Sequence, residues 1–162
     1  MQNLNVGDFV ENAAVVPHDA AISQAVEKMI AHQSDRVYLT DETGSVTRVI
    51  CDYTLFKAIV RGDLASCSLN QLASPLQNCL KPSQPLSQAA VLFRNGSMRE
   101  IAVFESHQFL GVLKRQTLLA QFIENEEKIA QPPQFPTIDH DARTSQSSTL
   151  SGFDHPQTRK IG

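Results

Sequence analysis

Apolar and polar residues alternate in two distinct rhythms over the first 130 positions. From Ala20 to Ile30 the apolar positions are Ile22, Ala25, Val26, Met29 and Ile30. That i, i+3, i+4, i+7, i+8 spacing is one face of a helix, and Asp19 stands where an N-cap is expected. The rhythm then shortens. Arg36–Thr40 reads as a strand, Asp41–Gly44 as a turn and Val46–Cys51 as a second strand. A second helix is predicted over Tyr53–Val60, ended by Arg61-Gly62.

The same order returns downstream. Leu86, Ala89, Ala90 and Phe93 repeat the spacing of Ile22, Ala25, Val26 and Met29 at an offset of 64. Glu100–Phe104 and Phe109–Leu113 then read as strands, and Gln116–Ile123 as the closing helix. At an offset of 63 this half matches the first through Arg36/Arg99, Glu42/Glu105, Val49/Val112, Thr54/Thr117 and Leu55/Leu118. The sequence therefore places its one-residue difference between the helix and the first strand. Units of about 60 residues bury little surface alone, so the two are expected to pack on each other. The predicted organisation is repeat 1 at 1–65, repeat 2 at 66–130 and a tail at 131–162.

Composition changes that picture only after Ile129. Gln131-Pro-Pro-Gln-Phe-Pro opens a stretch of Pro, Ser, Thr, Gln and Asp with few large apolar residues. Such a stretch cannot offset its ordering entropy by burial, so a disordered C-terminal tail is expected. The net charge of −3 offers no field for nucleic acid or an anionic membrane. No apolar run is long enough to span a bilayer, and Met1–Asn5 lacks the features of a signal peptide. Three cysteines without CxxC spacing, Cys51, Cys67 and Cys79, suggest free thiols and a cytoplasmic setting.

The motifs narrow the fold further. The first half carries Val15-Val16-Pro17, then Arg36-Val37-Tyr38-Leu39-Thr40-Asp41, then Arg48-Val49-Ile50-Cys51-Asp52-Tyr53-Thr54. The second carries Cys79-Leu80-Lys81-Pro82, Arg99-Glu100-Ile101-Ala102-Val103-Phe104 and Gly111-Val112-Leu113-Lys114-Arg115-Gln116-Thr117. This pattern resembles a tandem pair of cystathionine-β-synthase (CBS) domains, a Bateman module, over about Val6 to Phe122. The resemblance implies a mixed α/β (α+β) fold of two βαββα repeats related by a pseudo-two-fold axis. It also implies a homodimer that senses an adenine nucleotide (AMP, ADP or ATP, as a weak regulatory ligand) or a related anionic metabolite in the cleft between the repeats, requires no cofactor, and signals through the dimer or to a separate, unidentified regulated protein.

In the resemblance a Thr or Ser at a strand end and an Asp at the next helix meet the ribose. Here Cys51 and Lys114 hold the first position, and Thr54 and Thr117 the second. A neutral hydroxyl replaces a carboxylate in both halves, so weak or absent nucleotide binding by that geometry is expected. The candidate ligand residues are Val16, Arg36, Tyr38, Cys51, Tyr53, Thr54, Leu80, Arg99, Ala102, Lys114, Gln116 and Thr117. Arg36 and Arg99 either clamp an anion or pair with acidic neighbours such as Asp35 and Glu100. Lys114 meets a phosphate or is simply solvated. The five histidines lack ligand spacing, so no metal site is expected. No GxSxG, HExxH, P-loop or GxGxxG occurs, which leaves no constellation for an enzyme. Two functions remain open: a ligand-sensing regulatory module, and a ligand-free assembly or adaptor module acting through its dimer surface and tail.

Overall fold

The computed structural model describes residues 4–94 and 96–129. The tail expected from residue 131 lies outside the described residues. The first repeat is β1 (Val15–Pro17), α1 (Ile22–Ala31), β2 (Arg36–Thr40), β3 (Val46–Cys51) and α2 (Asp52–Arg61). Two short elements follow, α3 (Leu69–Leu72) and β4 (Ser74–Pro75). The second repeat supplies α4 (Leu86–Phe93), β5 (Glu100–Glu105), β6 (Gln108–Lys114) and α5 (Arg115–Ile129). The cap of α1 differs from expectation. Ala21 is the N-cap, and the Gln24 side-chain oxygen accepts the Ala21 N–H at 3.2 Å, while Asp19 lies in the preceding turn. Gly62 ends α2 at a φ of 76°, as its glycine suggested.

One sheet runs β1-β2-β3-β4, with β1 parallel to β2 and the other pairs antiparallel. The second sheet has two full strands, β5 and β6. Single bridges extend it on both sides: Leu80 lies parallel to Val103, and Glu11 lies antiparallel to Val112. Both sheets thus share one order, lead-in segment, hairpin, edge segment. The lead-in of the second repeat is one bridge rather than a strand.

The register relocates the one-residue difference between the halves. Val16 pairs with Leu39, and Leu80 with Val103, so both partners shift by 64. Tyr38 pairs with Val49, and Ala102 with Val112, shifts of 64 and 63. The missing residue therefore falls in the second hairpin, not before the strand. That hairpin turns through Ser106 and His107, both at positive φ (46° and 73°), the backbone a tight two-residue turn requires. The residue equivalent to Arg36 is Glu100, and the residue equivalent to Arg99 is Asp35.

Three apolar clusters hold the molecule together. In the first, Val37 and Leu39 of β2 and Ile50 of β3 pack with Ala25 and Met29 of α1. In the second, Ile101 and Val103 of β5 and Leu113 of β6 pack with Ala89 and Phe93 of α4. The cores also exchange segments. Leu69 and Ala73, beyond the first repeat in sequence, complete the first core, whereas Val6 completes the second. The third cluster joins the repeats through Tyr38, Val46, Ala102 and Val112. Side chains alternate faces along a strand, so Tyr38 points away from Val37 and Leu39 and toward the other repeat.

Candidate functional site

The same alternation decides what the space between the repeats contains. Arg36 shares a face with Tyr38, and Glu100 shares a face with Ala102. All four line a cavity of about 320 Å³. Its remaining walls are Val49 of β3, the segment 74–78, Met98 and Ile101. The walls are mixed: apolar at Val49, Pro75, Leu76 and Ile101, polar at Ser74, Gln77 and Asn78.

Glu100 is the one charged side chain in the buried class among the described residues, at 2% exposure. Its Oε2 lies 2.7 Å from Ser34 Oγ, and its Oε1 is buried without a hydrogen-bond partner. Ser34 Oγ also lies 2.7 Å from the Arg36 carbonyl oxygen and accepts the Arg36 N–H at 3.1 Å. A hydroxyl carries one proton and cannot donate to both oxygens. A protonated Glu100 removes the conflict: the carboxyl donates to Ser34, and Ser34 donates to the Arg36 carbonyl. Burial pushes the Glu100 carboxyl up from its ordinary range in the same sense, and Asp35 adds to the rise. Tyr38 is buried beside it, and desolvation followed by the Glu100 charge raises its phenol as well. Arg36 Nε is also buried without a partner, 4.0 Å from Asp35 Oδ1.

A second cavity, about 470 Å³, lies where the two repeats meet near the starts of β2 and β5. It draws Asp35 and Asp52 from the first repeat and Arg99, Glu100, Lys114, Arg115 and Gln116 from the second. Three acids face three bases there. Burial raises the Asp35 carboxyl, with Arg36 opposing the rise. Arg99 thus lies among acids, the pairing that the sequence left open beside an anion clamp.

The two halves treat their Thr positions differently. Thr54 Oγ1 lies 3.2 Å from Cys51 Sγ, a local contact that leaves neither residue on the walls of either cavity. Thr117 instead hydrogen-bonds the Glu11 carboxylate. Lys114 Nζ lies 3.5 Å from the other Glu11 oxygen and donates to the His32 carbonyl at 2.8 Å. Two of the three Lys114 donors are thus engaged, and its side chain also lines the larger cavity. Glu11 reaches this place because its backbone pairs with Val112 across the exchanged segment. Its equivalent in the other half is Ser74, 63 residues on, which lines the smaller cavity. A carboxylate tied to Lys114 and Thr117 thus holds this place in one half, and a serine at a cavity wall holds it in the other.

The predicted residues thus separate. Arg36, Tyr38 and Ala102 come together in the smaller cavity, and Arg99, Lys114 and Gln116 in the larger. Val16 and Leu80 are core residues. Tyr53 is exposed, with Lys57 stacked on its ring at 4.8 Å. Cys51 is half-buried. Sequence reasoning missed Glu11, Ser34, Ser74 and Glu100. For Glu100 a signal existed, since an offset of 64 carried through the first strand would have aligned it with Arg36. Among the described residues no group of His, Cys, Asp or Glu could hold a metal ion. No helix among them is long and apolar enough to cross a membrane.

The sequence matches no protein-family model and no curated protein. Solved structures do match. A CBS-pair protein of Arabidopsis thaliana superposes with a TM-score of 0.66 at 19% identity, covering 78% of this chain and 99% of that one. A CBS domain pair in complex with 5′-methylthioadenosine and S-adenosyl-L-methionine gives 0.65 at 14% identity, covering 75% and 97%. A CBS domain protein of Pyrobaculum aerophilum complexed with AMP gives 0.63 at 17%, covering 76% and 98%. Two exchanged βαββα repeats with this register and these neighbours have one description: the chain has the fold of a tandem CBS domain pair.

Proposed function

We propose that this protein is a non-catalytic regulatory module that holds one adenine-containing metabolite per chain in the smaller inter-repeat cavity. The observation carrying this reading is the cavity of about 320 Å³, at which buried Glu100 Oε1 has no hydrogen-bond partner and buried Arg36 Nε has only the Asp35 carboxylate, 4.0 Å away. Buried polar groups are ordinarily paired, and a concave site with apolar walls and a few unsatisfied polar groups is where a small ligand fits. Structures of the same fold hold AMP, and one holds 5′-methylthioadenosine and S-adenosyl-L-methionine. The stoichiometry of one follows from Glu11, which already engages Lys114 and Thr117 on the other side.

The test is isothermal titration of the full chain with adenosine, AMP, ADP and ATP, beside thermal shift. A bound ligand raises the melting temperature by mass action. The expected result is saturation at one ligand per chain for at least one compound, abolished by Ala102→Leu, which fills the cavity. The variant's own melting curve reports whether it folds. Absence of binding across the panel would overturn the reading.

A second reading has its own observation. Phe56, Ile59 and Val60 on α2 and their equivalents Leu119, Phe122 and Ile123 on α5 are all exposed. Such matched apolar faces suit a dimer, either as the output of ligand sensing or as the whole function of a ligand-free adaptor.

A further inference from the structure

Ser34 belongs to the first repeat and Glu100 to the second, so the 2.7 Å contact between Ser34 Oγ and Glu100 Oε2 ties the repeats to each other. The same hydroxyl has the Arg36 carbonyl oxygen at 2.7 Å and accepts the Arg36 N–H. One hydroxyl hydrogen serves only one of the two acceptors. Both contacts are hydrogen bonds only when a second hydrogen sits between Ser34 and Glu100, and the carboxyl is the group that can carry it.

The surroundings point the same way. Glu100 is buried, and among the described residues the two ion pairs are Arg36–Asp35 and Lys114–Glu11, neither of which includes it. A carboxylate buried without a paired cation is costly, which favours the neutral acid. From β2 and the turn before it, the carboxyl faces Asp35, Arg36 and Tyr38. Asp52, Arg99, Lys114 and Arg115 complete the charged groups of the two cavities that Glu100 lines. Burial is the main influence raising the carboxyl, and Asp35 adds to it, while the Tyr38 phenol and Lys114 act against the rise. The phenol donates to the carbonyl oxygen of an acid as it does to a carboxylate, so Tyr38 fits either state.

We propose that Glu100 is held as the neutral acid and that its proton latches the first repeat to the second. Loss of the proton leaves one hydrogen for two acceptors and an unpaired charge between the repeats, so the latch weakens as pH rises. The folded chain holds this proton more tightly than the unfolded chain does. Its contribution to stability is therefore complete below the ordinary glutamate range and is lost as pH rises through the higher folded value. The latch needs no ligand and stands apart from the adenine reading.

The experiment compares the melting of the full chain in wild type and in Glu100→Gln between about pH 5 and pH 9. Glutamine keeps the length of the side chain and donates to Ser34 as the acid does, but it does not titrate. The variant's melting temperature is expected to gain on that of wild type as pH rises, by at least about 3 °C, the shift that a tenfold change in the folding equilibrium gives in a chain of this size. Asp35 is present in both chains, so its own titration largely cancels. A difference that does not change with pH, or one that moves in favour of wild type, would overturn the proposal. A second readout needs no variant: carbon-13 titration of the side-chain carboxyls in wild type is expected to place the Glu100 midpoint above those of the other glutamates. A Glu100 midpoint within their range would overturn the proposal even if the variant does not fold.

Discussion

At the scale of single residues, the two halves have diverged through a few substitutions at equivalent places. Glu11, Lys114 and Thr117 stand where Ser74, Cys51 and Thr54 stand in the first half. The first set is tied into one network, while in the second Cys51 meets Thr54 and Ser74 lines a cavity. Lys114 also caps the C-terminal end of α1 through the His32 carbonyl, a favourable place for a cation. It therefore links the repeats. Replacing Glu11 with Gln removes the charge that faces Lys114 but keeps an acceptor for Thr117. The pair is partly exposed, so the expected loss is about 1 kcal/mol of stability. Urea denaturation of wild type and Glu11→Gln measures it. An unchanged midpoint would show that the network is not held in solution. None of this was legible in the sequence, because Glu11 and Lys114 lie far apart along the chain and meet only through the exchanged segment.

At the scale of elements, strand parity carried the most consequence. A slip of one residue moves every side chain to the opposite face. An offset of 63 through the first strand would put Arg99 beside Arg36 and make the cleft cationic. The observed offset of 64 puts Glu100 there instead. The strands themselves were readable, since Arg36–Thr40 and Val46–Cys51 match β2 and β3 residue for residue. The location of the missing residue was misplaced, because identical residues such as Arg36 and Arg99 favoured 63, although an offset of 64 aligns Val37 and Leu39 with Ile101 and Val103 where 63 sets Val37 against Glu100. Gly111 marks where the exchanged segment crosses β6. Its φ is 144°, and a Cβ there would meet the Glu11 carbonyl oxygen at 2.3 Å and Val10 Cγ1 at 2.9 Å. Gly44, at a φ of 80°, has nothing within 4 Å. Gly44→Ala is thus expected to cost about 1 kcal/mol, from backbone strain alone. Gly111→Ala adds a clash with another segment's backbone, and a loss of about 2 kcal/mol or more is expected. Equal losses in the two variants would contradict the crossing seen here.

At the scale of the whole molecule, two cores are completed by segments from beyond their own repeats. Val6 belongs to the second core, and Leu69 to the first. Neither repeat, cut at residue 65, would contain its full apolar set. The two helices that follow the hairpins then present matched exposed faces. If these faces form the dimer, light scattering of wild type is expected to give twice the chain mass, and Phe56→Glu with Phe122→Glu the single mass. A wild-type monomer at micromolar concentration would remove the dimer from the proposed mechanism.

The sequence by itself determined the local elements, their order and their duplication. Those follow from apolar periodicity and turn residues, which act over a few positions. It also determined that each repeat would need a partner, since about 60 residues bury too little surface. Tertiary structure decided the rest: which segments complete which core, which face of β5 meets β2, and that Glu100 rather than Arg99 shares the cleft with Arg36. Those outcomes depend on register and on contacts between distant residues. A slip placed in one turn or another leaves each element's own periodicity intact, whereas the charge that a cleft presents is reversed by it.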